Sequence, residues 1–392
     1  MTGKSASSEH DAKAVPGRTA TPVPVPLLDL TAQYRTIRDE VRPAIDDVCD
    51  RQALVLGDVV TDFETSLAAY CGTRHAVAVS SGTDALLAAM MALDIGPGDE
   101  VIVPSFTFFA TAGTVSRLGA TPVFADIDPR TFNVTAEEVA RHVTPRTKAI
   151  VPVHLFGQCA DTAGINQVAC DPKLDARIWV LEDAAQAIGA SRDGKKACAT
   201  GFCGALSFYP TKNLGAFGDA GAICCDDDTL IDRLRRLRVH GSGHTYYHDE
   251  VGGNFRIDAL QAAVLSVKLR HLDAWSEGRR RHAAIYDEIF DGTDVVAPHI
   301  EAGCESVYNQ YVVRVPDRDA VRAKLNELKI GSGVYYPLGL HQQACFKHLD
   351  APALPHTEAA CREVLALPVF PELTEGQIRH VGESLVGIVE GR

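Results

Sequence analysis

No stretch of this 392-residue sequence approaches the roughly 20 consecutive apolar residues that a membrane-spanning helix needs. Its first residues lack the basic start and apolar stretch of a secretory signal. No C-x-x-C pair occurs, and the 11 cysteines are scattered and odd in number, so neither a disulfide framework nor a four-thiolate zinc site is indicated. Block-like clusters of Lys and Arg are also missing, and the formal net charge is -13. A general nucleic-acid binder needs such clusters to neutralise phosphates. These absences leave a cytoplasmic protein, with neither membrane nor nucleic acid among its partners and a small molecule as its ligand.

What is present is 46% apolar residues, enough for a large core and for two domains. Residues 1–26 are rich in Ser, Ala, Thr and Pro and end in Pro22-Val-Pro-Val-Pro26, a composition that reads as a disordered tail. From Leu27 short apolar runs alternate with amphipathic ones, the α/β pattern of a mainly parallel sheet between helices. Seven strands are expected: Ala76 to Val79, Val101 to Val103, Pro122 to Ala125, Ala149 to Val153, Ile178 to Leu181, Ala205 to Phe208 and Ala222 to Cys225. Near His271 a long charged helix containing Glu277, Arg279, Arg280 and Arg281 opens a smaller α+β domain. The division is therefore a large domain over 27–272 and a small one over 273–392. In the latter, Tyr311 to Val315 reads as a strand, Asp319 to Leu328 as a helix and Gly331 to Tyr336 as the next strand.

Three segments carry chemistry. In Val77-Ala-Val-Ser-Ser-Gly-Thr-Asp-Ala-Leu86 a strand runs through Ser81-Gly82-Thr83 into a helix. The free amides and positive dipole end of that helix favour a phosphate, and the glycine permits close approach. The same residues also suit a plain N-cap, and both readings stand. In Ile178-Trp-Val-Leu-Glu-Asp-Ala-Ala-Gln186 an apolar strand delivers Glu182, Asp183 and Gln186 to the sheet's carboxyl edge, where open α/β sheets bind ligands. A carboxylate there can hold a pyridine nitrogen protonated, or it can cap a following helix. In Leu206-Ser-Phe-Tyr-Pro-Thr-Lys-Asn-Leu-Gly215 one lysine, Lys212, lies at a strand end among small and apolar residues. Desolvation there lowers an amine's pKa and makes it the nucleophile a Schiff base requires. Lys195, Lys196 and Lys268 read as exposed, solvated charges.

Ser81-Gly-Thr-Asp-Ala-Leu86, Gly98-Asp-Glu-Val101, Glu182-Asp-Ala-Ala-Gln186, Ser207-Phe-Tyr-Pro-Thr-Lys212 and Gly253-Asn-Phe-Arg-Ile-Asp258 together resemble the DegT-type sugar aminotransferases. The resemblance runs from about Leu27 to the C-terminal region. It implies the fold type I architecture of aspartate aminotransferase, pyridoxal 5′-phosphate as cofactor, and a homodimer with active sites at the subunit interface. Carried over, Lys212 is the Schiff-base lysine and proton shuttle, Asp183 faces the pyridinium nitrogen, Gln186 the ring hydroxyl, and Phe108 stacks on the ring. Gly82, Thr83 and Ser207 grip the phosphate, and Asn254 reaches over to the partner subunit's site. Phe255 departs from the Asn-Ser-Arg of many relatives. A family branch that removes a hydroxyl has histidine at the lysine position, and Lys212 argues against it.

The resemblance therefore implies transfer of an amino group from L-glutamate to a nucleotide-linked keto-sugar. Ser306-Val-Tyr-Asn-Gln-Tyr311, Val334-Tyr-Tyr-Pro-Leu-Gly-Leu-His341 and Gly157-Gln-Cys-Ala-Asp161 look most like relatives that aminate C3. These include enzymes for UDP-2-acetamido-3-keto-glucuronate and for dTDP-3-keto-6-deoxyhexoses. Arg256, His341 and Tyr335 are the substrate-facing candidates; an arginine would pair with a sugar carboxylate. A surface ion pair for Arg256 and a satisfied loop histidine for His341 are the plain alternatives. Amination at C4, a keto-cyclitol substrate, and a regulatory protein that binds pyridoxal phosphate or a sugar without turnover are the competing functions. His240, His244 and His248 recur every fourth residue, but Gly241-Ser-Gly243 breaks any helix between them, so no metal site is expected.

Overall fold

A computed structural model describes residues 24–174, 177–244 and 246–391, so the expected tail over residues 1–23 lies outside the described residues. The centre is a seven-stranded sheet: β1 (His75–Val79), β2 (Glu100–Pro104), β3 (Thr121–Ala125), β4 (Thr147–Ile150), β5 (Trp179–Asp183), β6 (Cys203–Ser207) and β7 (Gly221–Cys225). Their spatial order is β1-β7-β6-β5-β4-β2-β3, and only β7 runs antiparallel to its neighbours. All seven expected strands are present. The fourth stops at Ile150 rather than Val153, shortly before Pro152, which has no N–H to give a ladder. Strand alternation is visible as two apolar faces.

Helices cover both. Val77 and Val79 of β1 and Val101 and Val103 of β2 pack against α3 (Gly82–Ala92), α4 (Ala110–Arg117) and α7 (Asp228–Leu237). On the other face Ala76 and Ala78 meet α2 (Asp58–Cys71) and α8 (Ala259–Leu269), while Ile102 and Ile150 meet α5 (Ala136–His142) and α6 (Thr162–Ala169). The amphipathic α1 (Leu30–Arg51) lies outside α8 through Ile37, Val41, Val264 and Val267.

A separate apolar cluster joins α9 (Leu272–Phe290), α10 (Arg318–Glu327) and α12 (Glu375–Val389) to a two-stranded antiparallel ladder, β8 (Tyr311–Arg314) with β9 (Val364–Leu367). The helix α11 (Pro355–Glu363) precedes β9. Val25 is fully buried in this cluster and bridges Ile330, so the end of the expected tail is built into the fold. The expected strand over Gly331 to Tyr336 does not form. Gly331 N–H donates to Val25 O (2.8 Å) and Gly333 exchanges bonds with Ala366, so the segment divides its bonds between two neighbours instead of completing one ladder. Among the described residues no helix is long and apolar enough to cross a membrane.

Candidate active site

The topology brings the ends of β1, β5 and β6 and the start of β7 to one edge of the sheet. At β1's end Ser81, in extended conformation, caps α3, its Oγ accepting from Asp84 N at 3.0 Å. The first intrahelical bond is Ala85 N to Ser81 O (2.9 Å). That leaves the amides of Gly82 and Thr83 for a ligand, so the cap and the anion site coexist. A Cβ on Gly82 would stand 2.5 Å from Ser207 Cβ, and one on Gly221 would strike the Ser81 carbonyl at 2.5 Å. Glycine is therefore required here by close approach. Thr83 is exposed and Ser207 half-buried, both at the open side of this junction.

Alternation along β5 points Glu182 and Asp183 to opposite faces. Asp183 does not cap a helix, because residues 184–189 form turns. Its side chain is buried, accepting from Thr111 Oγ1 (2.8 Å) and Ala185 N (3.2 Å). Burial pushes its carboxyl above the usual range, and the Thr111 and Ala185 bonds and the Lys212 charge only partly oppose this. Glu182 is fully buried behind it and accepts from His154 Nε2 (2.7 Å), Cys198 N (2.9 Å) and Thr200 N (2.9 Å). Burial pushes this carboxyl up as well, yet the bonds from His154 and the backbone outweigh it and hold the group below its ordinary value. Ala160 N donates to His154 Nδ1 (3.0 Å), which places the ring proton on Nε2. Gln186 is tied on both ends of its amide, accepting from Phe156 N (2.8 Å) and donating to Tyr336 Oη (3.2 Å).

Lys212 follows β6 in the loop that returns to β7. Burial pulls its amine down to about 8, against the opposing field of Asp183. Among the described residues nothing accepts a hydrogen bond from its Nζ, so the amine is desolvated, unanchored and partly neutral near physiological pH. The loop is held from beneath by a residue expected at the surface: Lys268 is only 3% exposed and donates to Gly215 O at 2.6 Å. Its α8 is sandwiched by α1 and α2, which removes the solvent that a charged residue in a helix leads one to expect. Lys195 is exposed as expected; Lys196 is half-buried, with Nζ on Tyr70 O at 2.8 Å.

The remaining candidates are looser. Phe108 is 58% exposed, three residues before the Thr111 that anchors Asp183. Asn254 is exposed and Arg256 half-buried with no side-chain partner among the described residues; their backbones bridge Val239 and Val79. This segment is pinned by Ser80 N to Phe255 O (2.9 Å) and Phe255 N to Arg238 O (3.2 Å). Arg238 is in turn paired with buried Glu64. Tyr335 is half-buried beside Tyr336. His341 answers to its plain reading: Nδ1 meets Ser105 Oγ (2.7 Å) and Nε2 meets Glu358 Oε1 (3.4 Å), so neither ring nitrogen is left for a substrate. His244 and His248 lie on the strands of a small hairpin and His240 just before it, with His248 Nδ1 on His240 O at 3.0 Å. Thr111 and His154 lie outside the sequence motifs, and Tyr336, inside the segment Val334 to His341, shows its role only in the fold, through its bond with Gln186.

Pyridoxal phosphate fits this edge on the structure's own terms. A buried carboxylate short of positive charge suits a pyridinium nitrogen, the α3 amides suit a phosphate, and the desolvated lysine suits a carbonyl carbon. Comparison with known proteins agrees. A sequence profile described as the DegT/DnrJ/EryC1/StrS aminotransferase family matches residues 35–386. A "pleiotropic regulatory protein" of Geobacillus stearothermophilus is 47% identical over 92% of this chain and 97% of its own length. A UDP-N-acetyl-3-dehydro-alpha-D-glucosamine 3-aminotransferase of Acidithiobacillus ferrooxidans is 44% identical over 94% of this chain and 98% of its own. Among solved structures, DesV of S. venezuelae superposes with a TM-score of 0.90 at 40% identity, covering 94% of this chain and 99% of that one.

Proposed function

Because the chain belongs to the DegT/DnrJ/EryC1/StrS aminotransferase family, whose members use pyridoxal phosphate, we propose that it moves an amino group from L-glutamate to C3 of a nucleotide-linked keto-sugar. The observation that carries this reading is the facing pair of Asp183, buried and short of positive charge, and Lys212, desolvated and without an acceptor. A protein that only bound a ligand would have no use for a lysine held partly neutral opposite a pyridinium carboxylate.

When bound, the cofactor supplies an electron sink for the carbanion formed at the substrate carbon. The chain's own residues do the rest. Asp183 keeps the ring nitrogen protonated, and Thr111 and Ala185 N hold that carboxylate in place. Lys212 Nζ, its pKa lowered to about 8, would take the proton from the donor's α-carbon and hold it for return two atoms along, across the amino nitrogen. Gln186, fixed by Phe156 N and Tyr336, would meet the ring hydroxyl. Gly82, Thr83 and Ser207 would hold the phosphate, and Phe108 would cover the ring. Arg256, with no partner among the described residues, and Tyr335 face the sugar.

We also assign a homodimer, in which Asn254 crosses to the partner's phosphate. The exposed Val55, Tyr247 and Val251 are apolar surface that a second copy would cover. The division near residue 272 into two domains belongs to the same reading. C3 is preferred to C4 on the likeness to a UDP-sugar 3-aminotransferase.

The experiment is an absorbance spectrum of purified wild type and Lys212→Ala, before and after L-glutamate, followed by 3-keto and 4-keto nucleotide sugars carried on UDP or dTDP. Wild type should show a visible band that glutamate shifts to shorter wavelength and a 3-keto sugar restores. A wild type that binds no cofactor would favour a regulatory binding protein, and restoration by 4-keto sugars alone would move the reaction to C4.

A further inference from the structure

The cleft between the Lys212 loop and the α9 cluster contains a cavity of about 120 Å³, lined by Leu28, Thr211, Arg279, Asn309, Gln310 and Tyr335 among others. Arg279 is only 5% exposed, and among the described residues it forms no ion pair with a carboxylate. Its Nη1 donates to two backbone oxygens, Tyr308 O (3.0 Å) and Asn309 O (3.4 Å). Among the described residues Nε and Nη2 have no acceptor. The acidic group whose field reaches the guanidinium is Glu372, half-buried and shared with Lys268. Burial accordingly pulls the guanidinium down to about 10, the mark of a positive charge without full compensation.

We propose that this cavity is a carboxylate subsite that receives a carboxylate of the amino donor. The proposal rests on the transaminase reading above. A fork of guanidinium N–H donors matches a carboxylate, and an anion would supply the missing compensation. The cavity is small, of a size that suits a carboxylate and its neighbouring carbons but not a nucleotide. Asn309 Oδ1 and Gln310 Oε1 find no donor among the described residues, so both amides keep capacity that a polar occupant would use. The position also fits. Thr211 immediately precedes Lys212, and Tyr335 immediately precedes the Tyr336 whose hydroxyl holds Gln186.

The two half-reactions of the holoenzyme are followed separately by absorbance, the first with L-glutamate and the second with the keto-sugar. Arg279→Gln should raise the half-saturating glutamate about 100-fold while the sugar dependence stays within about twofold, and Arg279→Lys should recover part of the loss. Glutarate, a dicarboxylate with no amine to react, should bind wild-type holoenzyme in calorimetry and bind Arg279→Gln at least about 30-fold more weakly. Should Arg279→Gln fail to fold, Gln310→Leu leaves the guanidinium and its carbonyl bonds in place and should raise half-saturating glutamate about fivefold. An unchanged glutamate dependence in Arg279→Gln, or a loss confined to uronic-acid sugars, overturns the subsite but leaves the transaminase reading standing. A wild type that glutamate does not convert overturns both.

Discussion

The residues assigned to the reacting end of the cofactor and those assigned to the sugar are held in opposite ways. Asp183, Gln186 and Lys212 sit at strand ends or one short loop away, the first two buried and the lysine half-buried, with the carboxylate and the amide fixed by named donors and acceptors. Arg256 and Tyr335 sit on irregular segments and keep their side chains half-buried, with no hydrogen-bond partner among the described residues. Chemistry common to many substrates is built into the rigid edge of the sheet, where geometry holds to a fraction of an ångström. Choice among substrates is left to loops that can vary without disturbing the core.

The sharpest way to break this contrast is at its buried pole. Lys212→Ala should lower turnover on the order of 10⁴-fold or more in a coupled assay, because it removes the shuttle for both half-reactions. Asp183→Asn should follow, with kcat down about 10²- to 10³-fold and cofactor still bound, since an amide cannot keep the ring nitrogen protonated. Residual turnover in Lys212→Ala near that of wild type would mean that the edge is not the reaction centre.

The exposed pole should respond differently. Arg256→Ala should raise KM for the sugar about tenfold and leave kcat within about twofold, the pattern of an interaction made equally in ground and transition states. If kcat fell with KM unchanged, Arg256 would belong with the buried group and the contrast would be misplaced.

The same contrast governs what the sequence made legible. All seven sheet strands were readable because both faces of each are apolar, and the ligand edge followed from the motifs at the ends of β1, β5 and β6. Residues whose role depends on a distant partner were not. His341 is satisfied by Ser105, 236 positions away, and Thr111 reaches Asp183 across 72 positions. Gly331 to Tyr336 reads as a strand but splits its bonds between Val25 and Ala366. Arg279 lies in a visibly charged helix, and only the packing of α9 shows that it turns inward.

Lys268 is the weakest test, because it belongs to the buried group yet touches no reactant. Its amine donates to Gly215 O in the Lys212 loop, and burial pulls it down to about 8, with Glu372 opposing. The unfolded lysine titrates near 10.4, so between about pH 8 and 10 the unfolded chain binds more protons and stability should rise with pH. At about 1.4 kcal/mol per pKa unit this amounts to about 3 kcal/mol at most. Lys268→Met removes that rise together with the Gly215 bond, so denaturant unfolding should show wild type gaining on the variant as pH climbs through this window. Turnover at pH 7.5 should fall only about threefold, through a loosened loop. A loss as large as that of Asp183→Asn would mean that the loop's position, and not the chemistry of its lysine alone, is what the buried edge protects.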